Sequence, residues 1–299
     1  MSAYKGVLVV VLVLAVWALA AGCGWPGAIA GSKELKLGYI AWDENVAVSN
    51  LTMVLLEEEL GYEVELRVTN EAVVKQVFRR VADGDLHAFQ DVWMPNHEQL
   101  LAKVENDVEH LDPWYEGETS FGLAVPDYMA DTKSIADLNE SGAERIIGIE
   151  PGAVISEKIE ENVIPEYNLT LEHEPSSTAA MLAEVERLYN DKEPFVFPPW
   201  CPHPMCAEYD FHFLEDPKKA QAPLNQPAKI SSIVNEDLPD DDPVAYAFLN
   251  TLRMNEEELI SLEDAIAEAG DDPIKGSQNW LKENRDVVQP AIDAAKKEQ

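Results

Sequence analysis

Apolar positions along this chain switch repeatedly between a period of two and a period near 3.6. "LKLGYIA" is a short apolar run and predicts a strand. "DENVAVSNLTMVLLEEELG" spaces its apolar residues as a helix does, with Asp43 as expected N-cap and Gly61 as stop. "YEVELRVT" alternates and predicts a second strand. "NEAVVKQVFRRVADG" predicts a helix capped by Asn70 and closed by Gly84, and "DLHAF" the third strand. The alternation then resumes. "TSFGLAVP" and "RIIGIE" predict strands, with "SIADL" a short helix between them. "PGAVISEKIEEN" predicts a helix with Pro151 and Gly152 at its start, and "SSTAAMLAEVERLYN" a helix capped by Ser176 or Ser177. "PFVFP" predicts a buried strand running into "PWCPHPMC"; "DFHFLED", "AKISSIV" and three helical segments follow. Strand–helix–strand repeats of this length predict mainly parallel, doubly wound α/β sheets. The order fits two lobes joined by extended crossings near residues 119–126 and 211–233.

The first residues follow a different rule. Lys5 precedes an apolar run from Gly6 to Ala21, and small residues then lead into Cys23. This predicts a secretory signal over residues 1–22. A Cys directly after "LAAG" looks like a bacterial-type lipobox, in which Cys23 is lipidated and becomes the mature N-terminus. An uncleaved anchor and an ordinary signal peptide are the alternatives. Residues 23–34 are small and polar and predict a tether, which places the protein on the extracytoplasmic face of the cell membrane, held by lipid.

Charge narrows the partners. The chain has 56 Asp and Glu against 22 Lys and Arg, a formal net charge of −34. Residues 1–22 carry Lys5 and no acid, so the mature charge is −34 − 1 = −35. That balance argues against nucleic acid or an anionic membrane surface as binding partner. The acids are spread along the whole chain, a pattern that resembles adaptation to high salt. Of the three Cys, Cys201 and Cys206 lie in "WCPHPMC". Outside the cytoplasm a disulfide is permitted, and a Cys201–Cys206 disulfide is the expected state of this pair. Free thiols and a soft-metal site stay open, although this segment supplies fewer ligands than zinc needs.

Candidate chemistry gathers at strand ends, where open α/β sheets bind ligands. "YIAWDEN" puts Trp42 past the first strand, "DVWMPNHEQ" puts Trp93 and His97 on the loop past the third, and "FVFPPWCPH" puts Trp200 past a strand of the second lobe. Each Trp alone is as readily a core residue; three in equivalent places are harder to assign to packing. A trimethylammonium group has no N–H to donate and prefers the electron-rich face of an indole, so several Trp around one point suit it. Asp43, beside Trp42, would be another cation partner but is expected to cap the helix. "GIEPGAVISEK" brings a strand into a helix start, where free amides near Val154 and Ile155 form an anion site. His97 would add a donor. Cation cage and anion cradle together suit a small zwitterion.

The segments "GYIAWDEN", "VWMPNH", "GIEPGAVI", "SSTAAM" and "PPWCPH", in this order, resemble the glycine betaine-binding proteins of ABC importers, the glycine betaine/proline betaine family. The resemblance runs from about Leu35 to the C-terminus. It implies the type II periplasmic-binding-protein fold, with one lobe at residues 35–120 plus 230–299 and the other at 121–229. It implies that Trp42, Trp93 and Trp200 form the cation cage, and that His97 and the backbone at Val154 and Ile155 hold the carboxylate. Family members often carry a second Trp where Pro204 stands and a Gly where Val154 stands. The implied partners are a betaine and the permease and ATPase of an importer, with no cofactor. A choline or carnitine binder, or a solute sensor of the same fold, is the alternative reading. A secreted hydrolase using Cys201 or His203 lacks any supporting nucleophile–base motif.

Overall fold

β1 (Lys33–Tyr39) buries Leu35 and Leu37 completely and lies between two parallel neighbours, β2 (Tyr62–Val68) and β3 (Ala88–Met94). β4 (Val108–His110) and β11 (Lys229–Asn235) complete a five-stranded sheet in the order β2-β1-β3-β11-β4. Only β11 runs against the others, so the sheet is mainly parallel, as predicted. The computed structural model describes residues 33–68, 74–270 and 272–299. The signal, Cys23 and the Asn70 cap therefore lie outside the described residues. Among those described, no helix is long and apolar enough to cross a membrane.

α1 (Asp43–Leu60) crosses from β1 to β2 and ends at Gly61, whose φ of 74° takes the left-handed region that favours glycine. Its N-cap is Trp42, with extended backbone, and not the expected Asp43. Asp43 is the first helical residue, and its carboxylate is taken up elsewhere, by His203. α2 (Val74–Ala82) precedes β3. β3 is longer than "DLHAF" predicts, because β11 pairs alongside it as far as Ile230↔Trp93 and Lys229↔Met94. Trp93 is thus the penultimate residue of a strand and not a loop residue. His97 caps the short α3 (Glu98–Leu101).

The segment between Ser120 and Phe213 builds smaller sheets. "TSFGLAVP" splits into β5 (Ser120–Phe121) and β6 (Ala124–Pro126) at Gly122, whose φ of 149° an L side chain rarely adopts. β7 (Arg145–Gly148) pairs in parallel with β8 (Glu172–Pro175). "PFVFP" forms no regular strand; bridges from Val196 to Ile146 and from Phe197 to Ala124 insert it between β7 and β6. β9 (Trp200–Cys201) pairs with β5, and β10 (Phe211–Phe213) with β6. The order β8, β7, residues 196–197, β6, β10 repeats the five-position order of the first sheet.

α4 (Val154–Lys158) starts later than predicted, with Ala153 as cap and Pro151 and Gly152 in the preceding turn. It continues through a π-helical turn at Ile159–Val163 into α5 (Ile164–Tyr167). Pro165 has no N–H for the regular ladder, which accounts for the irregular turn before it. α6 (Thr178–Asp191) is capped by Ser177, one of the two predicted residues. α7 (Met205–Glu208) follows β9. After β11 come five helices rather than three: α8 (Leu238–Asp241), α9 (Pro243–Thr251), α10 (Glu256–Glu268), α11 (Pro273–Trp280) and α12 (Arg285–Lys297). α10 and α11 pack on α1.

Candidate functional site

A cleft lies where the first sheet meets the 121–229 segment. Trp42, Trp93 and Trp200 all line it, and so do His97, Val154 and Ile155. The chain therefore brings together every cleft residue expected from the sequence. Trp42 comes from the N-terminus of α1, Trp93 from the end of β3 and Trp200 from β9. All three are buried, between 4 and 7 % exposed.

Each indole N–H is already spent. Trp42 Nε1 donates to Glu150 Oε2 at 3.1 Å, Trp93 Nε1 to Asp91 Oδ1 at 2.7 Å, and Trp200 Nε1 to Glu44 Oε2 at 3.1 Å. Glu150 is itself held by the amide and hydroxyl of Thr178 at the start of α6. Two of these bonds cross the cleft, since Trp42 and Glu44 belong to α1 and its cap while Glu150 and Trp200 belong to the 121–229 segment. A third crossing bond joins His203 Nε2 to Asp43 Oδ2 at 2.9 Å. With the polar edges engaged, the indoles have only apolar ring surface left to offer a ligand.

His97 and the start of α4 add polar groups to the lining. His97 Nδ1 accepts the backbone N–H of Trp93 at 3.1 Å, which leaves the neutral ring's proton on Nε2. Burial pushes the His97 pKa down to about 4, so the ring stays neutral near pH 7. The Phe78 ring sits edge-on to it, with centroids 5.7 Å apart. Val154 and Ile155 are the first two residues of α4, and their amides have no acceptor inside the helix. The site thus combines hydrogen-bond donors with apolar ring surface.

Six lining residues were not anticipated, among them Ile149 and Ala153 at the turn before α4. Phe121 packs against Trp93 with ring centroids 6.3 Å apart. Nothing in "TSFGLAVP" separates a wall residue from an ordinary core Phe. Asn96 lines the cleft inside the quoted motif, and its Oδ1 is buried without a partner. Glu44 and Leu224 also reach the cleft. Behind the cage, burial and the neighbouring Asp91 charge push the Glu44 pKa well up, and burial raises Asp91 too. Cys201 and Cys206 are joined by a disulfide, with Cα atoms 6.1 Å apart, which closes the loop carrying His203.

These lobes and this cleft define a type II periplasmic-binding-protein fold. Residues 33–283 match the family described as the substrate binding domain of the ABC-type glycine betaine transport system, and the chain belongs to that family. The glycine betaine/carnitine transport binding protein of Listeria monocytogenes is 32% identical over 166 residues. That match covers 54% of this chain and 53% of the relative, so it spans about half the length of the curated protein. The lactococcal OpuAC in its closed conformation with glycine betaine superposes with a TM-score of 0.77 at 27% identity, covering 87% of this chain and 100% of that one. The glycine betaine/L-proline-binding protein of Borrelia burgdorferi gives a TM-score of 0.78 at 24% identity, over 88% of this chain and 100% of the other, a likeness of fold.

Proposed function

We propose that this protein is an extracytoplasmic substrate-binding lipoprotein that holds glycine betaine, or a close quaternary ammonium analogue, and delivers it to the permease and ATPase of an ABC importer. The carrying observation is that all three indole N–H groups around the cleft are tied to carboxylates. A head group that needs a hydrogen-bond donor finds no free indole N–H, whereas a trimethylammonium needs only ring faces. The His97 Nε2–H and the Val154 and Ile155 amides then take the carboxylate. The glycine betaine complex of the similar lactococcal protein supports this reading.

The test is a panel of glycine betaine, proline betaine, choline, carnitine and glycine, read by thermal shift and calorimetry in high salt. Glycine betaine should raise the melting temperature and glycine should not. A rise with glycine alone would overturn the reading. A larger rise with choline or carnitine would move the substrate to that class.

The same proposal assigns residues 1–22 as signal, 23–34 as tether, 35–120 plus 230–299 as one lobe and 121–229 as the other. Cys23 carries the lipid. Metabolic labelling with a radiolabelled fatty acid should mark the parent and leave Cys23→Ala unlabelled; equal labelling of both would remove the anchor.

A further inference from the structure

We propose that filling the cage with a cation drives a proton off the buried Glu44–Asp91 carboxyl pair, so that the ligand's charge is compensated from inside the protein. This rests on reading the cleft as a quaternary ammonium site. Glu44 lines the cleft and is 2% exposed, and Asp91 is fully buried behind it. Each carboxyl accepts the N–H of a cage indole, Glu44 that of Trp200 and Asp91 that of Trp93. The pair is therefore wired to two of the three walls.

Among the described residues, neither acid has an Arg or Lys partner. The charged groups facing Glu44 are Asp91 from β3, Glu263 from α10 and Asp43 from its own helix. Asp43 is bonded to His203 from the loop after β9. Glu263 is itself buried, with neither carboxyl oxygen hydrogen-bonded, and its burial pushes its pKa up. Several buried acids with no counter-ion cannot all ionise, because each desolvated charge raises the cost of the next. The empty site must keep protons in this group, shared between coupled carboxyls. Asp91 Oδ2 is buried without a partner while Oδ1 accepts from Trp93, so Oδ2 is the oxygen free to carry one.

A trimethylammonium cannot donate a hydrogen bond to either acid, so it acts on them through its charge. Placed against the Trp93 and Trp200 rings, it sits one indole away from each carboxyl. Its field favours the ionised form. The carboxyl O–H bond breaks, the proton passes to bulk water and buffer, and the electron pair stays on the carboxylate. The carboxylate is a stronger acceptor for the indole N–H, so the walls are held more firmly once the ligand is in place.

Calorimetry of the folded protein with glycine betaine in phosphate and in Tris, whose ionisation heats differ, counts the protons. We expect release of about 0.2 to 1 proton per site at about pH 7. Affinity should correspondingly rise by about threefold or more from about pH 6 to about pH 8, because the bound state holds fewer protons. Glu44→Gln should still bind betaine but lose at least about half of the release, and Asp91→Asn should do the same if Glu44→Gln does not fold. Equal heats in both buffers together with a flat affinity across that range would overturn the inference while leaving betaine binding intact. So would undiminished release in a folded, binding-competent variant. No binding in either buffer would overturn the proposed function, and this inference with it.

Discussion

Trp93→Ala should weaken glycine betaine binding by about thirtyfold. A desolvated indole face is worth about 2 kcal/mol to a bound cation, and each 1.4 kcal/mol is about a tenfold change in affinity. Trp42→Ala and Trp200→Ala should behave alike, because all three rings line the same cleft. Removing Trp93 also deprives the buried Asp91 of its donor, so part of the loss could arise from a disturbed fold. Trp93→Phe separates the two effects, since it keeps a ring and loses the N–H; a loss of only a few-fold is expected. His97→Ala should hurt betaine but leave any choline binding nearly unchanged, since choline has no carboxylate for Nε2 to hold. Calorimetry on variants with native circular dichroism decides this. Parent-like affinity in Trp93→Ala would return that residue to a packing role.

The second large effect is on acid stability. Burial lowers the folded-state pKa of His97 to about 4, against about 6.5 in an unfolded chain. Between these values the unfolded chain binds a proton that the folded one refuses, so stability falls as pH falls through this window. The full difference is about 3 kcal/mol at one side chain, an order-of-magnitude figure. Glu44 and Asp91 act with the opposite sign. Their raised folded-state pKa values favour the fold when protonated, and that contribution is lost as pH rises. The bulk pH profile mixes the two, so the comparison must be between parent and His97→Gln, which cannot titrate. Urea unfolding should show the variant losing less stability than the parent between about pH 6.5 and about pH 4. Parallel curves for the two proteins would mean that His97 is not held neutral.

The indoles that line the cleft were legible in the sequence for a physical reason, and their partners were not. Trp is rare, and Trp42, Trp93 and Trp200 each follow or end a run with strand periodicity, so position and chemistry coincide. Glu44, Asp91 and Glu150 are three of 56 acids in a chain where acids mark almost every solvated face. Two of them meet indoles 156 and 108 residues away, a pairing that no local pattern encodes. Local rules also misjudged Asp43. Its type and position suit a cap, but His203, 160 residues on, takes its carboxylate. Strand lengths erred where a neighbour decides them: β11 extends β3 through Trp93, and Gly122 interrupts a run that reads as continuous. The extent of helix α1 and its Gly61 stop, unlike its cap, needed only local rules and stand as read.

The bonds that cross the cleft bear on how long a ligand stays. Trp42–Glu150, Trp200–Glu44 and His203–Asp43 all break together if the two sides part, and none needs to break while they remain closed. Two of the three walls are each fastened to the side opposite their own. Parting the sides therefore dismantles the binding surface itself. Opening of the protein then costs these three bonds in addition to whatever contacts the ligand makes with both sides. Two ligands of quite different affinity would share that part of the barrier to departure.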